Sequence, residues 1–147
     1  MTVKPIPDGY HTVTPYLVVP DVAKLLEVLK QAFDARPSQP HAEADGTIRH
    51  AEVRIGDSMI MIGQGGPEYP PMPAMLYLYV EDVDAVYKRA IAAGGVAVQE
   101  VRDQFYGDRS GGVKDAFGNQ WWVATHVEDV SPEEMRKRMA AHAGGQH

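Results

Sequence analysis

The chain contains no cysteine. Disulfides, thiolate metal ligands and a cysteine nucleophile are thereby excluded, and a reducing cytoplasm is the expected compartment. No stretch approaches the roughly 18 consecutive apolar residues of a membrane span. No apolar run follows a basic start, so no signal peptide is expected. Positive charge is also short: 14 Lys and Arg stand against 20 Asp and Glu, for a net charge of −6. The basic residues are dispersed, whereas a nucleic-acid binder would gather them into a patch. Tryptophan occurs only twice, at Trp121 and Trp122. What remains is a soluble globular chain of 147 residues, expected to form one domain over 1–147. A chain of this size buries roughly 68–70% of its unfolded surface and needs no covalent staples.

Residues 1–9 hold two prolines and a glycine and read as an arm. Residues 11–19, HTVTPYLVV, read as a strand rich in β-branched and aromatic residues. Pro15 argues against a central, doubly paired position or marks a bulge. Residues 22–33 form an amphipathic pattern with Val22, Leu25, Leu26, Leu29 and Phe33 on one stripe and Asp21 as N-cap. Residues 37–47 are polar, with a strand expected over 39–44. In IRHAEVRI, residues 48–55, Ala51, Val53 and Ile55 share one strand face and His50, Glu52 and Arg54 the other. Gly56-Asp57 is a hairpin turn, and residues 58–62 are the returning strand. The segment 64–73, rich in Gly and Pro, reads as a linker.

The pattern then restarts. Residues 75–80 read as a strand, and residues 83–93 as a helix capped by Asp82 and ended by Gly94-Gly95. Residues 96–101 are a strand, and 107–126 a hairpin turning at Phe117-Gly118-Asn119. Ser131, Pro132 and Glu134 open a last helix over about 131–143. The restart is a repeat. Tyr16-Leu17-Val18-Val19-Pro20-Asp21-Val22 lies over Tyr77-Leu78-Tyr79-Val80-Glu81-Asp82-Val83 at an offset of 61. Ile55-Gly56-Asp57-Ser58 lies over Phe117-Gly118-Asn119-Gln120 at an offset of 62. The expected fold is α+β: two βαβββ repeats, about 11–63 and 74–126, plus the C-terminal helix. Each half buries one sheet face under its helix, and the opposite faces are left to form a cleft.

This duplication resembles the vicinal oxygen chelate superfamily of glyoxalases, bleomycin-resistance proteins and extradiol dioxygenases. The segments TPYLVV, RHAEVRIGDSMIMI and YGDRSGGVKDAFGNQWWVATHVEDVSPEE resemble its PhnB-like branch in particular. Metal-dependent members take two ligands from each half, one on the first strand and one near the start of the last. The resemblance places these positions at Thr14, its repeat mate Met75, Trp122 and its repeat mate Ile60. None is a good ligand for a divalent metal, which wants imidazole, carboxylate or thiolate. A register error of one residue restores no site. The resemblance also implies a homodimer, with the C-terminal helix packing on the partner.

Strand parity extends the cleft face to Tyr16 and Val18, to Tyr77 and Tyr79, to Ser58 and Ile62, and to Gln120, Ala124 and His126. An aromatic and Met-lined cleft with few polar groups suits a small molecule. Trp122 has two readings, a stacking platform for a planar ligand or a plug filling space where relatives hold metal. Tyr77 and Tyr79 read as wall residues. His50 and Glu52 could pair as base and orienter, or more simply as a solvated or dimer-interface pair. Arg109 could bind a carboxylate or phosphate, or form an ion pair with Asp108. His41 has no nameable partner, and His142 and His147 read as surface. Asp115 and Asn119 read as turn residues.

The expected function is binding of a small aromatic or amphipathic molecule without a metal or other cofactor, as in bleomycin-resistance relatives. The expected ligand-contacting residues are Thr14, Tyr16, His50, Glu52, Ile60, Met75, Tyr77, Tyr79, Arg109, Gln120 and Trp122. Two alternatives stand beside it. One is a metal-dependent lyase, isomerase or dioxygenase with ligands relocated to His50, Glu52 or His126. The other is a non-catalytic interaction protein.

Overall fold

A computed structural model describes residues 2–38 and 42–145. The first repeat comprises β1 (Tyr16–Val19), α1 (Val22–Phe33), β2 (Arg36–Pro37), β3 (His50–Ile55) and β4 (Ser58–Gln64). The second comprises β5 (Met75–Tyr79), α2 (Val83–Ala92), β6 (Val96–Asp103), β7 (Asp108–Lys114) and β8 (Gln120–His126), and α3 (Pro132–Gly145) follows. The two sheets have the same order, β1-β4-β3-β2 and β5-β8-β7-β6. The first and last strands of each repeat pair in parallel, and the last two pair as an antiparallel hairpin. This is the expected pair of βαβββ units with an added helix.

Local chemistry sets the helix starts. The Asp21 carboxylate accepts from the Lys24 amide at 3.1 Å, and Asp82 accepts from the Ala85 amide at 3.1 Å, so each cap satisfies an orphan donor of the first turn. The apolar stripe of α1 is buried as its spacing predicts, with Ala32 added. It lies on Leu17, Val19, Ala51, Val53, Ile60 and Ile62, all 3% exposed or less. Full burial of each large aliphatic side chain stabilises by roughly 1.5–3 kcal/mol. The two halves share one core. Trp121 of β8 is 1% exposed, and its ring centroid stands 5.3 Å from that of Phe33 at the end of α1.

Several boundaries differ from expectation, three of them around the first sheet. The first strand begins at Tyr16, not at His11, because only β4 offers it a strand partner. Pro15 then sits just outside an edge strand, where its missing N–H costs nothing. The strand expected over 39–44 lies partly outside the described residues. The outer strand of the first sheet is instead the two-residue β2, where Arg36 and Pro37 pair with Arg54 and Val53. The returning strand β4 runs on to Gln64 and takes the first residue of the expected linker.

The hairpin pairing corrects the face assigned to one strand. The two-residue turn at Gly56-Asp57 pairs Ile55 with Ser58, which sets Val53 opposite Ile60 and Ala51 opposite Ile62. Directly opposed residues share a face. Ile60 and Ile62 therefore face α1, and Met59, Met61 and Gly63 share the open face with Arg54, Glu52 and His50. The turns of the two repeats differ in length: residues 115–119 separate β7 from β8. Matching the turn glycines gives an offset of 62, whereas matching the strands gives 61. Tyr16 pairs with Met61 as Tyr77 pairs with Trp122, so the repeat mate of Trp122 is Met61.

Candidate functional site

The open faces of the two sheets are built to one plan. In the first, the Tyr16 hydroxyl reaches over β4 to His50 Nδ1 at 3.4 Å, and the two rings are 5.8 Å apart. The crossing requires glycine at residue 63, where a Cβ would come within 2.9 Å of Tyr16 Cε1. In the second, Tyr77 and Tyr79 reach over β8 to Asp108 on β7. Both hydroxyls donate to Asp108 Oδ2, at 2.8 and 2.9 Å. The residue beneath is Ala124, which pairs with Tyr79 on one side and Ser110 on the other. Gly63 and Ala124 are 61 apart, so each repeat places a small residue where a tyrosine must cross.

Asp108 is the centre of the second cluster. It is 4% exposed, and its other oxygen lies 2.9 Å from His126 Nδ1. The second nitrogen of His126 is 2.7 Å from Asp129 Oδ1. Burial pushes the Asp108 carboxyl up, but the hydrogen bonds from His126, Tyr77 and Tyr79 outweigh it and hold the group below its ordinary value. The carboxylates of Asp108 and then Asp129 raise His126 above 6.5. Burial, then the bond to Asp108, raises Tyr77. For Tyr79 the bond to Asp108 is the main cause and burial the second. Both phenols thus stay protonated as donors to the carboxylate.

Beside this cluster, Trp122 lies against the β7 backbone at Gly112. Its indole N–H donates to Gln120 Oε1 at 3.0 Å. Met75 pairs with Gln120 and Tyr77 with Trp122, which continues the strip to an apolar end. Met75, Tyr77 and Tyr79 are 64, 40 and 64% exposed.

On the first sheet, the N-terminal arm folds over the open face. Tyr10 donates to Glu52 Oε1, and burial followed by that bond pushes its hydroxyl up to about 12. Between arm and sheet lies a pocket of about 360 Å³, lined by Ile6, Pro7, Tyr10, Thr14, Glu52 and Met61 among others. Its volume is within the usual range for small-molecule sites, roughly 300–1,000 Å³. His11 also lines it.

The structure therefore brings Thr14 and Glu52 together under the arm, pairs Tyr16 with His50, and gathers Met75, Tyr77, Tyr79, Gln120 and Trp122 on the second open face. Two expected residues are elsewhere. Ile60 is in the core, 3% exposed, because the two-residue turn fixes its parity. Arg109 pairs with Thr125 on the helix-facing side of β7. Its guanidinium binds Asp84 of α2 through Nε and Nη2 at 2.9 and 3.0 Å and Asp103 at 3.3 Å. The alternative reading, a pair with Asp108, fails because successive strand residues point to opposite faces.

Sequence reasoning missed Asp108 and Tyr10. Asp108 was within reach of the parity rule, since Trp122, Gly112 and Asp108 fall on one face once the hairpin register is known. Tyr10 had no such signal, because an arm's docking is set by tertiary contacts alone. His142 stacks on Phe105 at 4.4 Å, while His41 and His147 lie outside the described residues.

The metal positions implied by the family resemblance can now be tested. With the corrected register they are Thr14, Met61, Met75 and Trp122: a hydroxyl, two thioethers and an indole. This donor set does not fit a divalent metal such as zinc. Among the described residues, no group of three or more His, Asp or Glu side chains could hold a metal ion.

The paired four-stranded sheets, each backed by its helix, define a protein of the glyoxalase class of folds. The sequence model of the Glyoxalase/Bleomycin resistance protein/Dioxygenase superfamily matches residues 10–123, and the chain belongs to that family. An uncharacterized protein of Mycobacterium bovis is 34% identical over 143 residues, covering 90% of this chain and 94% of the relative. TioX from Micromonospora sp. ML1 superposes with a TM-score of 0.70 at 28% identity, over 80% of this chain and 99% of TioX. A PhnB protein from Bacillus cereus, described as a putative 3-demethylubiquinone-9 3-methyltransferase, shares the fold. Its TM-score is 0.62 at 18% identity, over 78% of this chain and 99% of that one. Among the described residues no helix is long and apolar enough to cross a membrane.

Proposed function

We propose that this protein binds a small planar molecule on its open sheet faces and holds it without metal chemistry, as a sequestering protein of the bleomycin-resistance kind. The observation that carries this reading is the side chain at the last-strand metal position. An indole stands there, flat on Gly112 and partly buried, where metal-dependent relatives place a ligand. An aromatic face of this kind contributes about 0.5–1.5 kcal/mol to a stacked ring beyond area burial. The exposed Met75, Tyr77 and Tyr79 beside it supply the surround, and the pocket beneath the arm is a second recess, on the first sheet. We also place the protein in the cytoplasm as a homodimer, with the C-terminal helix packing on the partner.

A panel of planar aromatic compounds, titrated against tryptophan emission, tests the reading. Trp121 is 1% exposed, so a ligand-induced change reports Trp122. The expected result is a saturable change that disappears in Trp122→Phe. A panel in which no compound perturbs Trp122 contradicts the reading.

A further inference from the structure

The polar end of the second open face is one-sided in its hydrogen bonding. Each phenol of Tyr77 and Tyr79 has a single proton, and both are committed to Asp108 Oδ2 at 2.8 and 2.9 Å. Both ring nitrogens of His126 are directed at carboxylates, Asp108 and Asp129. The one donor of Trp122 goes to Gln120. What the cluster still offers outward is lone pairs and the indole face. The neighbouring Tyr106 and Ser110 hydroxyls also influence the ionisation of Tyr77. Tyr79, 64% exposed, has no other hydrogen-bond partner among the described residues and is the outward acceptor. Behind it lies the buried Asp108 carboxylate, and the His126 imidazole that faces Asp108 is shared with a second carboxylate.

The face of an indole carries negative quadrupole charge and attracts cations. Besides His126, held between Asp108 and Asp129, two cations share this open face. Lys114 pairs with Gln120 at the far end, and Arg102 pairs with Ser110 on the edge strand β6. Arg102 is three strands from Tyr79, roughly 14 Å at the usual strand spacing, beyond the roughly 8 Å screening length at physiological salt. On the Tyr79 side of Trp122, away from Lys114, the surface therefore selects a group that donates protons and carries positive charge.

We propose that Tyr79, backed by Tyr77 and Asp108, receives an N–H-donating cationic group, an amine or amidine, on a planar aromatic body stacked on Trp122. This rests on the binding reading above and specifies its ligand class. An anionic or purely acceptor group at that place would face phenol oxygens with no proton to give and a carboxylate behind them.

The test uses two planar probes of nearly the same shape, 2-naphthamidine and 2-naphthoate, titrated calorimetrically into the full chain. The expected result is naphthamidine binding at least about tenfold tighter, about 1.4 kcal/mol. Tyr79→Phe, at an exposed position, is expected to weaken naphthamidine severalfold and leave naphthoate unchanged. Asp108→Asn is expected to erase the preference, with circular dichroism confirming that the variant folds. Equal or tighter binding of naphthoate overturns the inference while leaving the binding reading intact. Undiminished naphthamidine affinity in Tyr79→Phe also overturns it. If neither probe binds, the inference falls, and the wider aromatic panel decides separately whether the binding reading falls with it.

Discussion

Trp122 lies across Gly112: a Cβ at residue 112 would stand 2.7 Å from the indole Cε2 and 2.8 Å from Cδ2. No real side chain tolerates such contacts, so the ring's position depends on glycine opposite it in the hairpin. Gly112→Ala should displace the indole and destabilise the fold by about 1–3 kcal/mol, the usual cost of overpacking. Urea denaturation measures this, and the emission of Trp122 should shift. In a Trp122→Ala background the same substitution should cost much less. An equal cost in both backgrounds would show that the ring is not what Gly112 accommodates.

Ile60 and Met61 separate core from cleft. Ile60→Ala removes a residue 3% exposed and should cost about 2–5 kcal/mol with ligand affinity unchanged. Met61→Ala, on the open face beside Thr14 and Glu52, should cost little stability and weaken any ligand held under the arm. The reverse pattern would restore the offset of 62 between the repeats.

Arg109 gives a second separation. Its bonds to Asp84 and Asp103 join β7 to α2 and to the end of β6. Arg109→Ala should lower the melting temperature and leave the binding of anionic and cationic probes as in the parent. A selective loss of anionic ligands in that variant would return Arg109 to the binding site.

The Asp108–His126 pair makes stability depend on pH in two directions. Asp108 has a depressed folded value, so its contribution is present above the ordinary 3.8 and lost as pH falls through the folded value. His126 is raised, so its contribution is complete below 6.5 and lost as pH rises through its folded value. The stability difference between the parent and His126→Gln should thus be largest between these limits, near pH 5–6. Thermal melts across pH 3–9 check this. A difference that grows steadily from pH 6 to 9 would mean that His126 is not held as the protonated partner.

Much of the fold was legible because its signals are local or periodic. The α1 stripe, the Asp21 and Asp82 caps and the Tyr16/Tyr77 repeat each follow from short-range patterns. β2 was not, since two residues carry no period. Ile60 was placed on the wrong face by aligning turn glycines from hairpins of unequal length. The two-residue turn at Gly56-Asp57, itself readable, already implied the opposite parity. The site was legible as an aromatic strip but not as a cluster. His126 meets Asp108 as its opposite number in the hairpin, whereas Tyr77 and Tyr79 reach it across the small Ala124 from another strand, and no single segment of sequence contains that meeting.

The central claim is binding on Trp122 without a metal, and one titration tests it most directly. Protein stripped by chelation, and shown metal-free by elemental analysis, is titrated with a bound aromatic compound while indole emission is followed. Unchanged affinity and an emission change lost in Trp122→Phe are predicted. Binding that vanishes on chelation and returns with a stoichiometric divalent ion would contradict the account.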